Sequence, residues 1–209
     1  MRKRINIDVS NEDLIGFASN VTGATFVLTA NVVPDGLAHK ISIRNDSVTN
    51  HSAKTMTLVG IDQDGFALTQ VIAGPGASAT VQSLGYFLML TSVTPSATIG
   101  ADTFDIGWVD EVASRIIPID YMSVNPASIF VDVTGTINYT VQQTLDNVLT
   151  SAAAARAAQW TPDTTAESRT ADSIGSMLAG SSAVRIIINS YSPNAELQFY
   201  VNQSVGGHL

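Results

Sequence analysis

Apolar and polar side chains alternate along most of this chain. "TFVLTANV" sets Phe26, Leu28 and Ala30 on one face, and "AHKISIR" opposes Ile41 and Ile43 to Lys40, Ser42 and Arg44. "KTMTLVGI" opposes Met56 and Leu58 to Thr55 and Thr57, while "FALTQVI" puts Phe66, Leu68 and Ile72 on one side. A side-chain period of two is that of a pleated strand with one face on a core, and Thr and Val suit that pleat. Each segment is therefore expected to be a strand. Turn chemistry separates them: "PDG" at Pro34–Gly36, "NDSVTN" at Asn45–Asn50, "DQDG" at Asp62–Gly65, "GPG" at Gly74–Gly76 and "IGAD" at Ile99–Asp102. Strands spaced by such turns, with no helical period between them, predict an all-β fold of two sandwich- or barrel-like units.

The second half continues the pattern. "SIFVDVTGTINYTVQQT", Ser128–Thr144, reads as one long strand kinked at Gly135. "AVRIIINS" and "AELQFYVNQ" read as closing strands joined by a turn at Pro193–Asn194. Between them lies a polar, Ala-rich interlude, Asp146–Ser182. Its "SAAAARAAQW" predicts a short helix within Ser151–Trp160 with Ser151 near the cap, and "TADSIGSMLAG" predicts a further helical turn. Long excursions of this kind are functional or disordered, and a contact arm is expected here. Pro118 and Pro126 interrupt the pattern within Asp110–Pro126. The predicted organisation is an N-terminal arm over 1–22, a first β unit over 23–112, and a second over 113–209 with the short helical insertion at 146–182.

Composition narrows the functional classes. Hydrophobic residues make up 45% of 209, enough for a real core, but charged residues are only 13%, about half the ~25% of an average domain. A surface dressed in Ser, Thr, Asn, Gln and Ala is weakly solvated and suits faces covered by neighbouring subunits; a secreted Thr-rich β-domain has the same composition. The net charge of −8 argues against nucleic-acid binding, which needs a basic stripe. The one basic cluster, Arg2, Lys3 and Arg4, reads as an exposed terminal arm that contacts an acidic neighbour or nothing. There is no cysteine, so thiolate metal sites and disulfides are out. Asp8, Glu12 and Asp13 stand where the apolar core of a secretion signal would lie, and no apolar run approaches a membrane span of ~20 residues. Cytoplasmic folding with no membrane is expected, and the Asn-x-Ser/Thr triplets at Asn20, Asn45, Asn50, Asn138 and Asn202 are not read as glycosylated.

Each candidate for chemistry has a plainer reading. "DQDG" has the acidic start of a calcium loop, but the bidentate Glu six residues after the glycine is missing and strands flank it; Asp-x-Asp-Gly also serves a hairpin turn. "GPGAS" lacks the Lys and the following helix of a phosphate loop. No Gly-x-Ser-x-Gly elbow occurs. His39, His51 and His208 are the only histidines; a His39–His51 metal pair is weighed against solvated surface residues, and the surface reading is preferred. Asp102, Asp105, Asp110 and Glu111 cluster in sequence, but a glycosidase needs facing carboxylates in an aromatic cleft. No catalytic residue, cofactor or metal is assigned. Trp108 and Trp160 are the only tryptophans; with Arg2, Lys3 and Arg4 they are the candidate assembly contacts.

The segment Pro34–Trp108, "DGLAHKISIRNDS … KTMTLVGIDQDGFALTQVIAGPGASATVQSLGYFLMLTSVTPSATIGADTFDIGW", resembles virion structural proteins of tailed bacteriophages. The resemblance lies in "DG-x-x-H-x-I-x-I", "x-L-x-G-x-D-x-D-G", an "x-I-x-G-P" turn, a "Y-F" strand ending "T-S-V-T-P-S", and a closing "G-W" strand. "TGTINYTVQQTLDNV" with "AVRIIINSYSPNAELQFYVNQ" is similar to a β module that follows in such proteins. The resemblance implies fold and virion membership and no catalytic residues. The leading expectation within that class is a subunit of the tail or head–tail region that assembles with copies of itself, in a symmetric oligomer, and with other virion proteins. A capsid-surface decoration protein is the alternative. A glycan- or receptor-binding module is a further one, and it requires an exposed aromatic platform from Tyr86, Phe87, Trp108 and Trp160. Low charge also leaves sheet edges without Lys guards: "SIFVDVTGTINYTV" carries only Asp132, so its edge is expected to be covered by its own sheet or by another chain.

Overall fold

Strands bury main-chain donors and acceptors only by pairing them, and the chain meets this need almost entirely with antiparallel ladders. The computed structural model describes residues 2–8, 13–123, 125–192 and 194–204. The strands run β1 (Arg2–Asp8), β2 (Asp13–Val21), β3 (Ala38–Asn45), β4 (Thr55–Asp62), β5 (Ala67–Ala73), β6 (Thr80–Pro95), β7 (Phe104–Ala113) and β8 (Ile117–Pro118). They continue with β9 (Ser128–Thr134), β10 (Ile137–Thr144), helix α1 (Ala152–Ala157), β11 (Thr161–Pro162), β12 (Ser173–Ser176), β13 (Ala183–Tyr191) and β14 (Glu196–Asn202). The fold is all-β with one short helix among the described residues. It divides into two units, residues 10–112 and residues 1–9 with 113–209.

In the 10–112 unit β2 pairs with β7, and the order continues β7-β3-β6-β4-β5. β6 is long enough to serve two neighbours: Thr80–Phe87 pair with β3, and Phe87–Pro95 with β4. All six strands supply one core cluster. Phe17 comes from β2, Ile41 and Ile43 from β3, Met56 and Leu58 from β4, Ile72 from β5, Leu90 and Val93 from β6, and Phe104, Ile106 and Trp108 from β7. A sheet whose two borders feed the same cluster must close over it, which gives the sandwich-like form. Register shifts between Lys40 and Ser42 in the β3–β6 pairing. There the Ile41 N–H, out of ladder phase, donates to Ser83 Oγ at 2.9 Å, and that hydroxyl donates to Gly85 O at 2.6 Å. The bulge is thus satisfied by one serine.

The other unit holds a sheet of order β1-β14-β9-β12 and a second set of order β11-β10-β13, with β8 also paired to β13. Ile129, Val131, Leu197, Phe199 and Val201 are at most 1% exposed and form the inner face of the first sheet. Tyr139 on β10 is fully buried; its hydroxyl donates to Ala171 O at 2.8 Å and bonds Ser173 Oγ at 2.7 Å. Burial raises its pKa, so the phenol stays neutral and able to donate.

Several expectations need correction. "TFVLTANV" joins no ladder: Phe26 enters the core and Leu28 packs on it, but the segment is an extended loop whose Thr29 N–H donates to Phe17 O at 2.7 Å. Alternation alone marked the inward side chains; no neighbouring strand was available to pair. Phe66 is 47% exposed at the β4–β5 turn and does not share the inward face of Leu68 and Ile72. Ser128–Thr144 is two strands, not one. Gly135 at φ +84°, with Ala195 Cα at 3.2 Å from where a Cβ would stand, turns the corner between β9 and β10, which lie in different sheets. Both strands are interior, so their edges are covered by their own sheets. Residues 2–8 are no free arm but strand β1, in register with β14 from Arg2–Asn202 to Asp8–Glu196, and 13–21 form β2.

The Ala-rich interlude is woven in rather than projecting. Ser151 caps α1 by accepting from Ala154 N at 3.1 Å. β11 pairs with β10, Val141 and Ala166 share a main-chain bond at 2.8 Å, and "SIGS" is strand β12 on β9 rather than a helical turn. Ser173 is buried while Ile174 faces out, the alternation of a strand. Of the Pro193–Asn194 turn, Asn194 adopts φ +60° and Pro193 lies outside the described residues.

The tightest backbone approach in the 10–112 unit is at Gly107, where a Cβ would stand 1.9 Å from Asp13 O. Gly107→Ala is expected to destabilise the protein by about 3 kcal/mol, because backbone rather than a movable side chain must yield. Gly76→Ala, whose Cβ would meet nothing closer than 3.7 Å, is expected to stay within about 0.5 kcal/mol. Urea midpoints of the two variants check the pair.

Candidate functional site

The polar residues that carry chemistry in other proteins fall here into four separate clusters, and turns place most of them. In the Pro34–Gly36 turn, Gly36 N donates to Val33 O at 3.0 Å and Gly36 holds φ +68°. This aims Asp35 at His39, at the start of β3: Nε2 meets Asp35 Oδ2 at 2.8 Å, and Nδ1 donates to Val109 O at 2.8 Å. The two side chains are 0% and 1% exposed. A carbonyl only accepts, so Nδ1 carries a proton, and the second nitrogen shares one with the carboxyl. His39 is a strap from turn to β7.

His51 lies in the loop before β4. Lys54 Nζ donates to its Nδ1 at 2.8 Å and to Thr98 O at 2.8 Å, so His51 Nε2–H donates to Asp102 Oδ2, also at 2.8 Å. The order Lys–His–Asp resembles a catalytic relay in outline. The imidazole is only 3% exposed, however, stacks edge-on to Phe104 with centroids 5.2 Å apart, and has both nitrogens engaged. The His51 hydrogen bond holds the Asp102 carboxyl below its ordinary range. The solvated-surface expectation for His39 and His51 is corrected: both are buried, because each imidazole has two fixed partners that replace water. They belong to different clusters and form no metal pair. His208 lies outside the described residues.

The acidic residues also divide. Asp105, 4% exposed, accepts from Asn20 N at 2.9 Å and lies 3.5 Å from Arg44, which bonds Asp46 at 2.5 Å. Burial, opposed by the Asn20 bond, raises the Asp105 carboxyl, and Asp46 raises the Arg44 guanidinium. Glu111 instead takes Lys40 Nζ at 2.9 Å and the Tyr86 hydroxyl. No group of three or more His, Cys, Asp or Glu fit to hold a metal occurs among the described residues. The "DQDG" turn spends Asp62 on its own backbone: Oδ1 accepts from Asp64 N at 3.0 Å and Phe66 N at 2.9 Å, and Gly65 takes φ +88°.

The candidate assembly contacts fare unevenly. Trp108 is 5% exposed, edge-on to Phe17 at 5.1 Å and tight against Gly16, so it anchors the core. Trp160 is half-buried under the Arg185 guanidinium, 4.2 Å from its ring, and packs on the Val148–Ala155–Ala183 cluster. The backbones of Arg2, Lys3 and Arg4 lie in β1. Phe87 is 1% exposed, so the four aromatics proposed as a glycan platform do not form one. What the sequence did not single out is a row on β14, β9 and β12: half-buried Tyr200 and exposed Phe130 and Ile174 stand opposite one another, with the two rings 5.7 Å apart. Nor did it single out the exposed Val71 on β5 and Leu84 on β6, at 59% and 79%. Period two shows that such residues leave the core, not that they gather.

Compared with known protein families, curated proteins and solved structures, the chain matches none. Fold and clusters define its class: an all-β, sandwich-like protein whose buried polar groups tie turns to strands. No helix among the described residues is long and apolar enough to cross a membrane.

Two measurements probe these straps. His39→Ala takes the imidazole from a buried carboxyl that keeps its bond from Leu37 N and opens a void at the strap; it is expected to cost about 3 kcal/mol in urea unfolding, far more than a surface substitution. Because the Asp102 carboxyl is lowered in the folded state, its ionised form contributes stability above the ordinary carboxylate range, and that contribution is lost as pH falls through the lowered value. Asp102→Asn is expected to flatten this part of the stability profile between pH 5 and pH 2 (about the range where carboxyls titrate); an unchanged profile would exclude the bond as its source.

Proposed function

We propose that the chain is a structural component of a tailed-phage virion, acting through subunit–subunit assembly in the tail or head–tail region. The resemblance over Pro34–Trp108 supports virion membership. The observation that carries the assembly reading is the unguarded border of the 10–112 unit: β5 has no charged residue, stands last in its sheet, and exposes Val71, with Phe66 and Leu84 also open to solvent. A lone soluble protein blunts such a border; an assembling subunit covers it. The polar motifs fit the same role. Asp35, His39 and Asp62 of the resembling segment all bond within the fold, and the reading assigns no reaction to them. A closed symmetric oligomer satisfies identical adhesive faces without leaving one open.

Size-exclusion chromatography with light scattering on the purified chain tests this. The expected mass is a whole multiple, above one, of the 22.0 kDa chain. A monomer that persists into the high micromolar range overturns the assembly reading.

A further inference from the structure

The borders of the described sheets are guarded in different ways, and one is not guarded at all. β1 carries Arg2, Lys3, Arg4 and Asp8 in its sequence. β8 and β11 are two residues long and each ends in proline, and β12 has only four residues. β2 meets β7 through two register shifts. Charge, brevity, proline and bulges are the devices that stop a strand from recruiting another. β5, "ALTQVIA", has seven residues, no charge, no proline and an unbroken register with β4.

The phase of the ladder shows what β5 offers. Asp62 N donates to Phe66 O at 2.8 Å at one end of the β4–β5 hairpin, and Gly74 N donates to Lys54 O at 2.8 Å at the other. Bonded and non-bonded pairs alternate along an antiparallel ladder. Leu68, Gln70 and Ile72 therefore turn their main-chain groups toward β4, and Thr69, Val71 and Ala73 turn theirs outward. No further strand is laddered to β5 among the described residues, although β6 comes close to it at Leu84 and Gly85. The Gln70 side chain does not obstruct this border, since it accepts from Leu84 N and Gly85 N at 3.0 and 3.2 Å across the core side.

We infer that the β5 border receives the β5 strand of a second copy of this chain, antiparallel across a two-fold axis near Gln70. The inference rests on the assembly reading above and names its interface. Main-chain groups in strand phase fit another extended strand. Charge selects a second copy and the antiparallel sense. Two chains of net charge −8 repel least where neither has charge, and ALTQVIA has none. Parallel pairing would set the two acidic Asp62–Asp64 turns side by side, whereas antiparallel pairing places each turn beside the Lys54 end of the other hairpin and keeps the two turns roughly 20 Å apart. Thr69 then faces Val71 of the partner subunit, and each exchanges main-chain bonds with the other.

Two variants and one spectroscopic readout test this on the full chain. Thr69→Pro removes an outward donor and no bond to β4; Val71→Lys installs the missing guard on an exposed side chain. In light scattering both are expected to fall to half the wild-type mass or to the monomer, with far-UV circular dichroism unchanged; should Thr69→Pro fail to fold, Val71→Lys carries the test. In residue-resolved amide exchange by NMR, Thr69, Val71 and Ala73 of the assembled wild type should exchange at least about tenfold more slowly than in Val71→Lys, while Leu68, Gln70 and Ile72 should be protected in both. Wild-type mass retained by folded Val71→Lys overturns the β5 interface and leaves the assembly reading standing. So does equal exchange at the three outward amides. A wild type that is monomeric at every concentration overturns both.

Discussion

A strand turns main-chain donors and acceptors to both flanks, and every one that leaves water must find a partner. That requirement governs this molecule more than any side-chain interaction does. It draws 2–8 onto β14 and the interlude after α1 onto β9 and β10. It also explains the bulge at Ile41, where a serine hydroxyl stands in for a missing carbonyl. Where pairing ends, a sheet needs a border that does not invite more, and the borders here use nearly every available device except on β5. Burial of the apolar faces supplies most of the driving force, at roughly 1.5–3 kcal/mol for each large side chain, but it does not choose partners. Pairing does.

The histidine clusters show how architecture borrows the vocabulary of catalysis. Lys54, His51 and Asp102 stand in an order that could move a proton. Yet both imidazole nitrogens are committed, and the ring is packed on Phe104. His39 is held more tightly still, between a turn carboxyl and the Val109 carbonyl. Both clusters have a mechanical consequence: loops before β3 and β4 are fixed to the strand that begins at Phe104 and to the loop ahead of it.

Turns were the most legible parts of the candidate surface. Gly36, Gly65 and Gly100 all hold positive φ where the Asp- and Gly-rich punctuation predicted reversals, because left-handed backbone is a local demand that few residues meet. Trp108 was legible as an anchor, and which of core or interface it anchors was not. The Tyr200–Phe130–Ile174 row was invisible, since its members come from three strands separated by up to 70 positions. The long strand predicted across Gly135 failed for the same reason. A glycine marks a place where the chain can turn, and only the approach of Ala195 decides that it does.

Alone, then, the sequence determined most of the extended segments, most of the side chains that point inward along them, and where the chain reverses, because a period of two and a positive φ are properties of neighbouring residues; β12 and Phe66 escaped it. The tertiary structure decided which strands share a sheet, which histidines are dry, and which border is left open. Those outcomes depend on hydrogen bonds and burial between residues far apart in the chain: β5 is a border because β4 spends its other flank on β6, and no local pattern in "ALTQVIA" records that.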